Sequence, residues 1–204
     1  RSCLTKTGNH RLEMRLDAVT CARLHALARQ HAASLHAVML TLFALEARRR
    51  TGRTDCLIGT AASLRETHAE AQVVGCYVNM LPVPCHLPRD ISFGAALREM
   101  QRTLAAGLQH LRYPFARIYQ DFRNAHDSQR HPLRYPLFDL AVIENPQSET
   151  PKSAAFRQFS RESVAYELTE VSPGQDLILS HEALADGSLL LQLHANAALY
   201  SRET

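Results

Sequence analysis

A histidine and two acidic residues near the end of the chain have the types that proton transfer needs. They lie in the segment 181–187, with the sequence HEALADG, in which an imidazole or a carboxylate can serve as a general base. Apolar and polar residues alternate on both sides, and Asp186-Gly187 is a strong signal for a two-residue hairpin turn. We therefore interpret this segment as a turn between two strands and not as a catalytic site.

The other histidines give no clear catalytic pattern. Many acyltransferases carry His-His-x-x-x-Asp-Gly with the second histidine as general base, but Glu182 stands in that place here. The chain has 11 histidines, and isolated ones on predicted helices, such as His25 and His36, are usually structural. G-x-S-x-G, a glycine-rich phosphate loop and a dinucleotide fingerprint are all absent from the sequence. We predict no catalytic residue within the chain.

Two polar side chains are the candidate site residues. Arg65 follows a predicted strand, where its guanidinium can hold a carboxylate through two parallel hydrogen bonds. Asn79 interrupts an apolar run, where a buried amide needs hydrogen-bond partners. The simpler explanations are structural, namely a strand end for Arg65 and a satisfied core amide for Asn79, and residue type alone favours them over a functional role.

The cysteines predict neither a disulfide framework nor a metal site. There are five, an odd number, without a C-x-x-C spacing, which favours a reducing cytoplasm. Cys76, Cys85 and His86 are close in sequence but match no common zinc pattern. We expect no bound metal.

Charge and hydropathy narrow the possible partners. The net charge is +3, and the basic residues are scattered apart from the arginines at 48–50, which suit a helix C-terminus. This argues against a nucleic-acid-binding protein, although contact with an acidic partner protein stays possible. No apolar run approaches the roughly 20 residues that a membrane span needs. We expect one globular unit in the cytoplasm.

The elements that position Arg65 and Asn79 follow from periodicity. Alternating or apolar runs predict strands at 10–16, 55–61, 73–83, 138–143, 176–183 and 188–194. Helical spacing predicts helices that begin after Asp17, after Ser34, after Ser92 and at Pro114, of which the second ends at Gly52 and the third near His110. The order of elements predicts an α/β fold with an antiparallel portion.

Two further expectations concern the connections. Pro82, Pro84 and Pro88 are expected to close the strand at 73–83, because proline cannot donate to a ladder. Residues 146–163 are expected to form an extended crossing segment or a loop.

Four passages, taken in order, resemble the second half of condensation domains from nonribosomal peptide synthetases. Residues 51–65 resemble S-G-Q-x-D-x-x-x-G-T-P-x-x-x-R, 74–82 resemble I-G-x-F-V-N-T-L-P, 109–115 resemble H-Q-x-x-P-F, and 135–138 resemble N-P-L-F. Departures include Ala61 for the usual proline and Tyr135 for the usual asparagine, so no subclass is predicted.

The resemblance implies a chloramphenicol-acetyltransferase-like lobe with a mixed sheet and helices packed on it. Residues 1–204 would be the C-terminal lobe of a condensation domain, with the N-terminal lobe, its His-His-x-x-x-Asp-Gly motif and a last helix outside the chain. Arg65 matches the family arginine that pairs with the motif aspartate and braces the histidine loop. Asn79 matches an asparagine that organises the wall of the tunnel between the lobes.

The resemblance also implies the reaction and the partners. A donor acyl or peptidyl thioester and an acceptor aminoacyl thioester, each on a phosphopantetheine arm of a carrier domain, are joined through an amide, and an adenylation domain belongs to the same megaenzyme. No cofactor is expected to bind this lobe directly, and the lobe alone is expected to be inactive. Two alternatives stay open, namely a non-catalytic lobe that docks a carrier protein or partner enzyme, and an acyltransferase that uses free coenzyme A.

Overall fold

A computed structural model describes residues 9–65, 67–126, 137–145 and 175–201. These residues contain six strands and five helices. Their bounds are β1 Asn9–Leu16, α1 Ala18–Gln30, α2 Leu35–Thr51, β2 Asp55–Ser63, α3 His68–Ala71, β3 Val78–His86, α4 Phe93–Leu108, α5 Phe115–His126, β4 Leu140–Asn145, β5 Leu177–Ala183 and β6 Leu189–Asn196. The expected crossing segment 146–163 lies outside the described residues.

The predicted caps start the three longest helices. Asp17, Ser34 and Ser92 each accept a hydrogen bond from the backbone N–H three residues later, which satisfies one of the free donors of the first turn. Gly52 ends α2 with φ +71°, a left-handed conformation that glycine adopts without steric cost. These local predictions are confirmed.

All six strands form one mixed sheet in the order β1-β6-β5-β4-β2-β3. The central strands β2, β4 and β5 run parallel, and the remaining neighbours are antiparallel. Helices α2 and α4 pack on the sheet and α1 packs on α2. The first half of α2 is almost fully buried by this packing, as its apolar sequence predicts. The predicted α/β class with a mixed sheet is confirmed.

Strand β3 corrects the prediction for residues 73–83. It begins at Val78, because Val73 and Val74 lie exposed in the preceding loop, and it continues through Pro82 and Pro84 to His86. The prolines do not close the strand because β3 lies at the edge of the sheet and pairs only with β2. Proline is tolerated on an edge strand where its missing N–H would face away from the partner.

The C-terminal hairpin forms where it was predicted, but its turn is longer than the expected two residues. β5 and β6 pair antiparallel, and Leu184 N–H donates to the Ser188 carbonyl at 2.9 Å across the turn. Gly187 has φ +80°, which explains why glycine occupies this place. Asp186 accepts hydrogen bonds from the backbone and hydroxyl of Ser188, so its carboxylate supports the turn.

Within the described ranges, no helix has the length and apolar character required to cross a lipid bilayer.

Candidate functional site

The four sequence passages that resemble a family meet at one place, which we call the motif corner and define by Gly59, Asn79, Phe115 and Phe138. The Phe138 ring lies against the backbone of Gly59, so closely that a Cβ atom at residue 59 would be 2.0 Å from Phe138 Cε2. Phe115 packs on the same ring, with 5.7 Å between the ring centroids and a tilt of 58°. Glycine is therefore required at residue 59 to admit the aromatic pair.

Asn79 supplies the polar part of the motif corner. Its Nδ2 donates to the carbonyls of Leu111 and Tyr113 at 2.7 and 2.9 Å, and its Oδ1 accepts from the Phe115 backbone N–H at 3.1 Å. The side chain thus links β3 to the turn that precedes α5 and satisfies a donor at the start of that helix. The expectation that this amide needs partners is confirmed.

Arg65 lies beyond the end of β2, on the loop that joins β2 to β3. Its Nε donates to the Glu70 carbonyl at 3.1 Å and its Nη2 to the Val73 carbonyl at 2.8 Å. The guanidinium carbon lies 4.5 Å from the ring centroid of Tyr77, a cation–π contact. Both hydrogen bonds are donated by the guanidinium to main-chain carbonyls of the loop, and they hold the loop in place.

Arg65 and Asn79 lie at the same end of the β2–β3 pair. Ser63 pairs with Val78 at the last position of the ladder, and Asn79 is opposite Ala62. The two candidate residues therefore lie at the same edge of the sheet. They are 14 positions apart in the sequence, and the antiparallel register of β2 and β3 brings them together.

A pair of buried histidines forms a second polar centre that the sequence patterns do not reveal. His36 in the first turn of α2 and His181 on β5 approach with Nδ1 and Nε2 2.9 Å apart. His36 Nε2 lies 2.8 Å from Thr60 Oγ1 on β2. His181 is 1% exposed. Burial lowers the pKa of both histidines to about 4, and the neighbouring His181 contributes to the low pKa of His36.

Glu144 on β4 completes this second centre. It is opposite His181 in the parallel β4–β5 register, and ligand atoms of His36, Glu144 and His181 all lie within 4.8 Å of one another. Glu144 is exposed overall, yet loss of solvation around its carboxyl still raises its pKa. We name His36, Thr60, Glu144 and His181 the histidine cluster. One signal was available in the sequence: the alternation Leu177-x-Leu179-x-His181 places that histidine on the apolar side of its strand.

The other suspected metal ligands do not come together in the described residues. Cys76 is exposed in the loop before β3, whereas Cys85 is buried on β3 opposite Cys56. His86 at the end of β3 pairs with Asp55, with 2.6 Å between Nδ1 and Oδ1.

Comparison with known proteins gives a consistent result. Residues 3–204 match the family described as Condensation domain. Surfactin synthase subunit 1 of Bacillus subtilis (strain 168) is 28% identical over 130 residues, which cover 64% of this chain and 4% of that protein. The hybrid PKS-NRPS synthetase poxE of Penicillium oxalicum is 25% identical over 204 residues, covering 100% of this chain and 5% of that protein.

Solved structures share the fold. The first condensation domain of the CDA synthetase superposes with a TM-score of 0.71 at 15% identity, covering 96% of this chain and 41% of that one. The X-domain from teicoplanin biosynthesis gives a TM-score of 0.75 at 20% identity, covering 96% and 43%. This likeness confirms the predicted chloramphenicol-acetyltransferase-like fold.

The chain spans only about one twentieth of the synthetases that it matches and less than half of the solved chains just described. The family match nevertheless extends over nearly all of its own residues, and the four passages that suggested the family converge at the motif corner. The chain belongs to the condensation-domain family.

Proposed function

We propose that this chain is the C-terminal lobe of a condensation domain that joins a donor acyl or peptidyl thioester to an acceptor aminoacyl thioester through an amide. The observation that carries the proposal is the family match over residues 3–204. The share of solved condensation domains that the chain covers, 41% and 46% for two of them, supports the assignment to one lobe.

The partners follow from this proposal. Both reactants would be held on phosphopantetheine arms of donor and acceptor carrier domains, with an adenylation domain in the same megaenzyme. In support, the relatives carry the names of surfactin, bacitracin and tyrocidine synthases. Catalysis in such a lobe pair would rest on holding two tethered reactants in reach of each other.

We infer that the general base comes from the other lobe. His181 is enclosed, hydrogen-bonded to His36 and has a pKa of about 4, so it is out of reach of a carrier-bound substrate and too weakly basic for efficient proton abstraction near neutral pH. Asp186 is engaged in the hairpin turn and in an ion pair with Arg15.

Arg65 and Asn79 would act on the tunnel indirectly. Asn79 fixes the turn before α5 through main-chain hydrogen bonds with Leu111, Tyr113 and Phe115, which supports a role in shaping the tunnel wall. Arg65 orders the loop beyond β2 through the carbonyls of Glu70, Val73 and Gly75 and through Tyr77. Its guanidinium is only half-buried, so we propose that it also braces the histidine loop of the other lobe.

The test is an amide-forming assay with the complete domain and separately loaded donor and acceptor carrier proteins, read by mass spectrometry. We expect amide from the complete domain and none from residues 1–204 alone. Turnover by residues 1–204 would overturn the assignment of the base to the other lobe. Carrier binding without any amide would favour the docking alternative, and amide from a coenzyme A thioester in place of the loaded donor carrier would favour the free-coenzyme alternative.

A further inference from the structure

We propose that His36, His181 and Glu144 form a binding site for a divalent transition-metal ion, with Zn²⁺ as the ion that suits these ligands best. The proposal is independent of the amide-forming reaction, because none of its three ligands belongs to the motif corner. It concerns the side of the sheet on which α2 packs.

The three ligands converge from different elements. His36 reaches the site from the first turn of α2, whereas Glu144 and His181 are neighbours across the β4–β5 register. Their ligand atoms lie within 4.8 Å of one another, and zinc binds histidine nitrogen and carboxylate oxygen at about 2.0–2.2 Å. An ion between the imidazoles would draw the exposed Glu144 carboxylate inward.

The ring of His36 makes one contact that a metal ligand could keep. Its Nε2 lies 2.8 Å from the hydroxyl of Thr60, itself 1% exposed, while its Nδ1 lies 2.9 Å from His181 Nε2, so a bound ion would replace the contact between the two rings. Histidines that bind metal regularly use the second ring nitrogen for such a hydrogen bond, which sets the tautomer and the ring angle. Thr60 is therefore the positioning residue of the proposed site.

Two nitrogens and one carboxylate oxygen make a three-ligand set. Such a set leaves one position of a tetrahedral zinc ion for water. Access from solvent would run along Glu144, since both histidines are buried. The bound ion would fasten α2 to β4 and β5, and thus stabilise the packing of a helix on the centre of the sheet.

The test is calorimetric titration of Zn²⁺ into tag-free protein that has been treated with a chelator and dialysed. We expect one zinc ion per chain and a Kd that rises by about tenfold or more in Glu144→Gln. This variant suits the test because Glu144 is exposed, so its fold should be retained, which circular dichroism can verify. Glu99→Gln on α4 removes the same charge elsewhere and should leave Kd unchanged.

Two further variants separate this site from general binding by surface histidines. Thr60→Val should weaken zinc binding by about tenfold through loss of the orienting hydrogen bond, whereas His25→Ala, at an exposed position of α1, should not. Co²⁺ should show visible absorption bands of low-coordinate ligation that Zn²⁺ abolishes and that Glu144→Gln lacks. The proposal is wrong if no saturable binding occurs, or if Glu144→Gln binds zinc as tightly as the unaltered chain.

Discussion

The Gly59–Phe138 contact of the motif corner and the histidine cluster lie on opposite faces of one strand. Gly59 and Thr60 are consecutive residues of β2, and successive side chains of a strand point to opposite faces. On one face the space over Gly59 is filled by Phe138, and on the other the Thr60 hydroxyl meets His36. The two regions therefore share a backbone but use different chemistry.

Their means of stabilisation differ. Aromatic packing and hydrogen bonds between an uncharged amide and the main chain hold the motif corner, so its stability should not depend on pH. The histidine cluster contains buried groups that titrate, which makes its contribution to stability depend on proton concentration. This contrast yields four predictions.

The strongest expected effect of a single substitution is steric and concerns the motif corner. Gly59→Val places atoms within 2.0 Å of Phe138 Cε2, so the ring and β4 must shift. We expect a loss of about 3 kcal/mol in the free energy of unfolding, as for severe overpacking, measured by urea denaturation. Gly75→Ala, in the exposed loop before β3, is the control and should cost much less. Because the clash is with one ring, Gly59→Val combined with Phe138→Ala should cost less than the sum of the single changes.

The second prediction tests the histidine cluster by pH. In the unfolded chain each histidine has a pKa near 6.5, whereas the folded value is about 4 for His36 and His181. The unfolded state thus binds more protons between these values, so stability is complete above about pH 6.5 and is lost as the pH falls towards 4. Between pH 7 and pH 5 each histidine should contribute a loss on the order of 2 kcal/mol.

The measurement is urea denaturation across that pH range with a chelator present. His181→Leu should have a shallower decline of stability with falling pH, while His25→Ala should keep the slope of the unaltered chain. Equal slopes in all three proteins would contradict the assignment of the decline to the buried pair.

The third prediction returns to the motif corner. Asn79→Ala leaves the carbonyls of Leu111 and Tyr113 and the Phe115 N–H without this partner. We expect a loss of about 1–2 kcal/mol, since solvent can reach part of the site, and the loss should be the same at pH 7 and pH 5. Asn79→Asp keeps the acceptor for Phe115 and should lose less. A strong pH dependence of the Asn79→Ala effect would remove the distinction between the two regions.

The smallest effect is expected at Arg65, on the rim beside the motif corner. Arg65→Ala removes the hydrogen bonds to the Glu70 and Val73 carbonyls and should cost about 1 kcal/mol, because the guanidinium is only half-buried. In the complete domain it should also slow amide formation, with Arg53→Ala, an exposed arginine before β2, as control. If Arg65→Ala changes neither the rate nor the stability, the bracing role is wrong.

Local structure was predictable where the determining residues are neighbours in sequence. The caps at Asp17, Ser34 and Ser92 and the Asp186-Gly187 turn depend on contacts within a few residues, so residue type was sufficient. The bounds of β3 were mispredicted because tolerance of its prolines depends on its place at the sheet edge, a tertiary property.

The candidate site shows the same limit. Its four passages could be recognised from their order and spacing in the sequence, but their meeting depends on Gly59 and Phe138, which are brought together by the β2–β4 pairing. The histidine cluster was missed because His36 and His181 are 145 positions apart. The residues next to His36 in the sequence do not indicate contact with His181, and the converse is also true. Each histidine taken alone is typical of a structural histidine.

The prolines of β3 have a consequence for how this sheet meets other chains. Pro82 and Pro84 are two residues apart, so both present the same, outer edge of the strand, and neither has an N–H. Exposed strand edges with regular donors act as templates for aggregation and for strand exchange between molecules. In this protein the β3 edge is a poor template, which disfavours polymerisation through this edge.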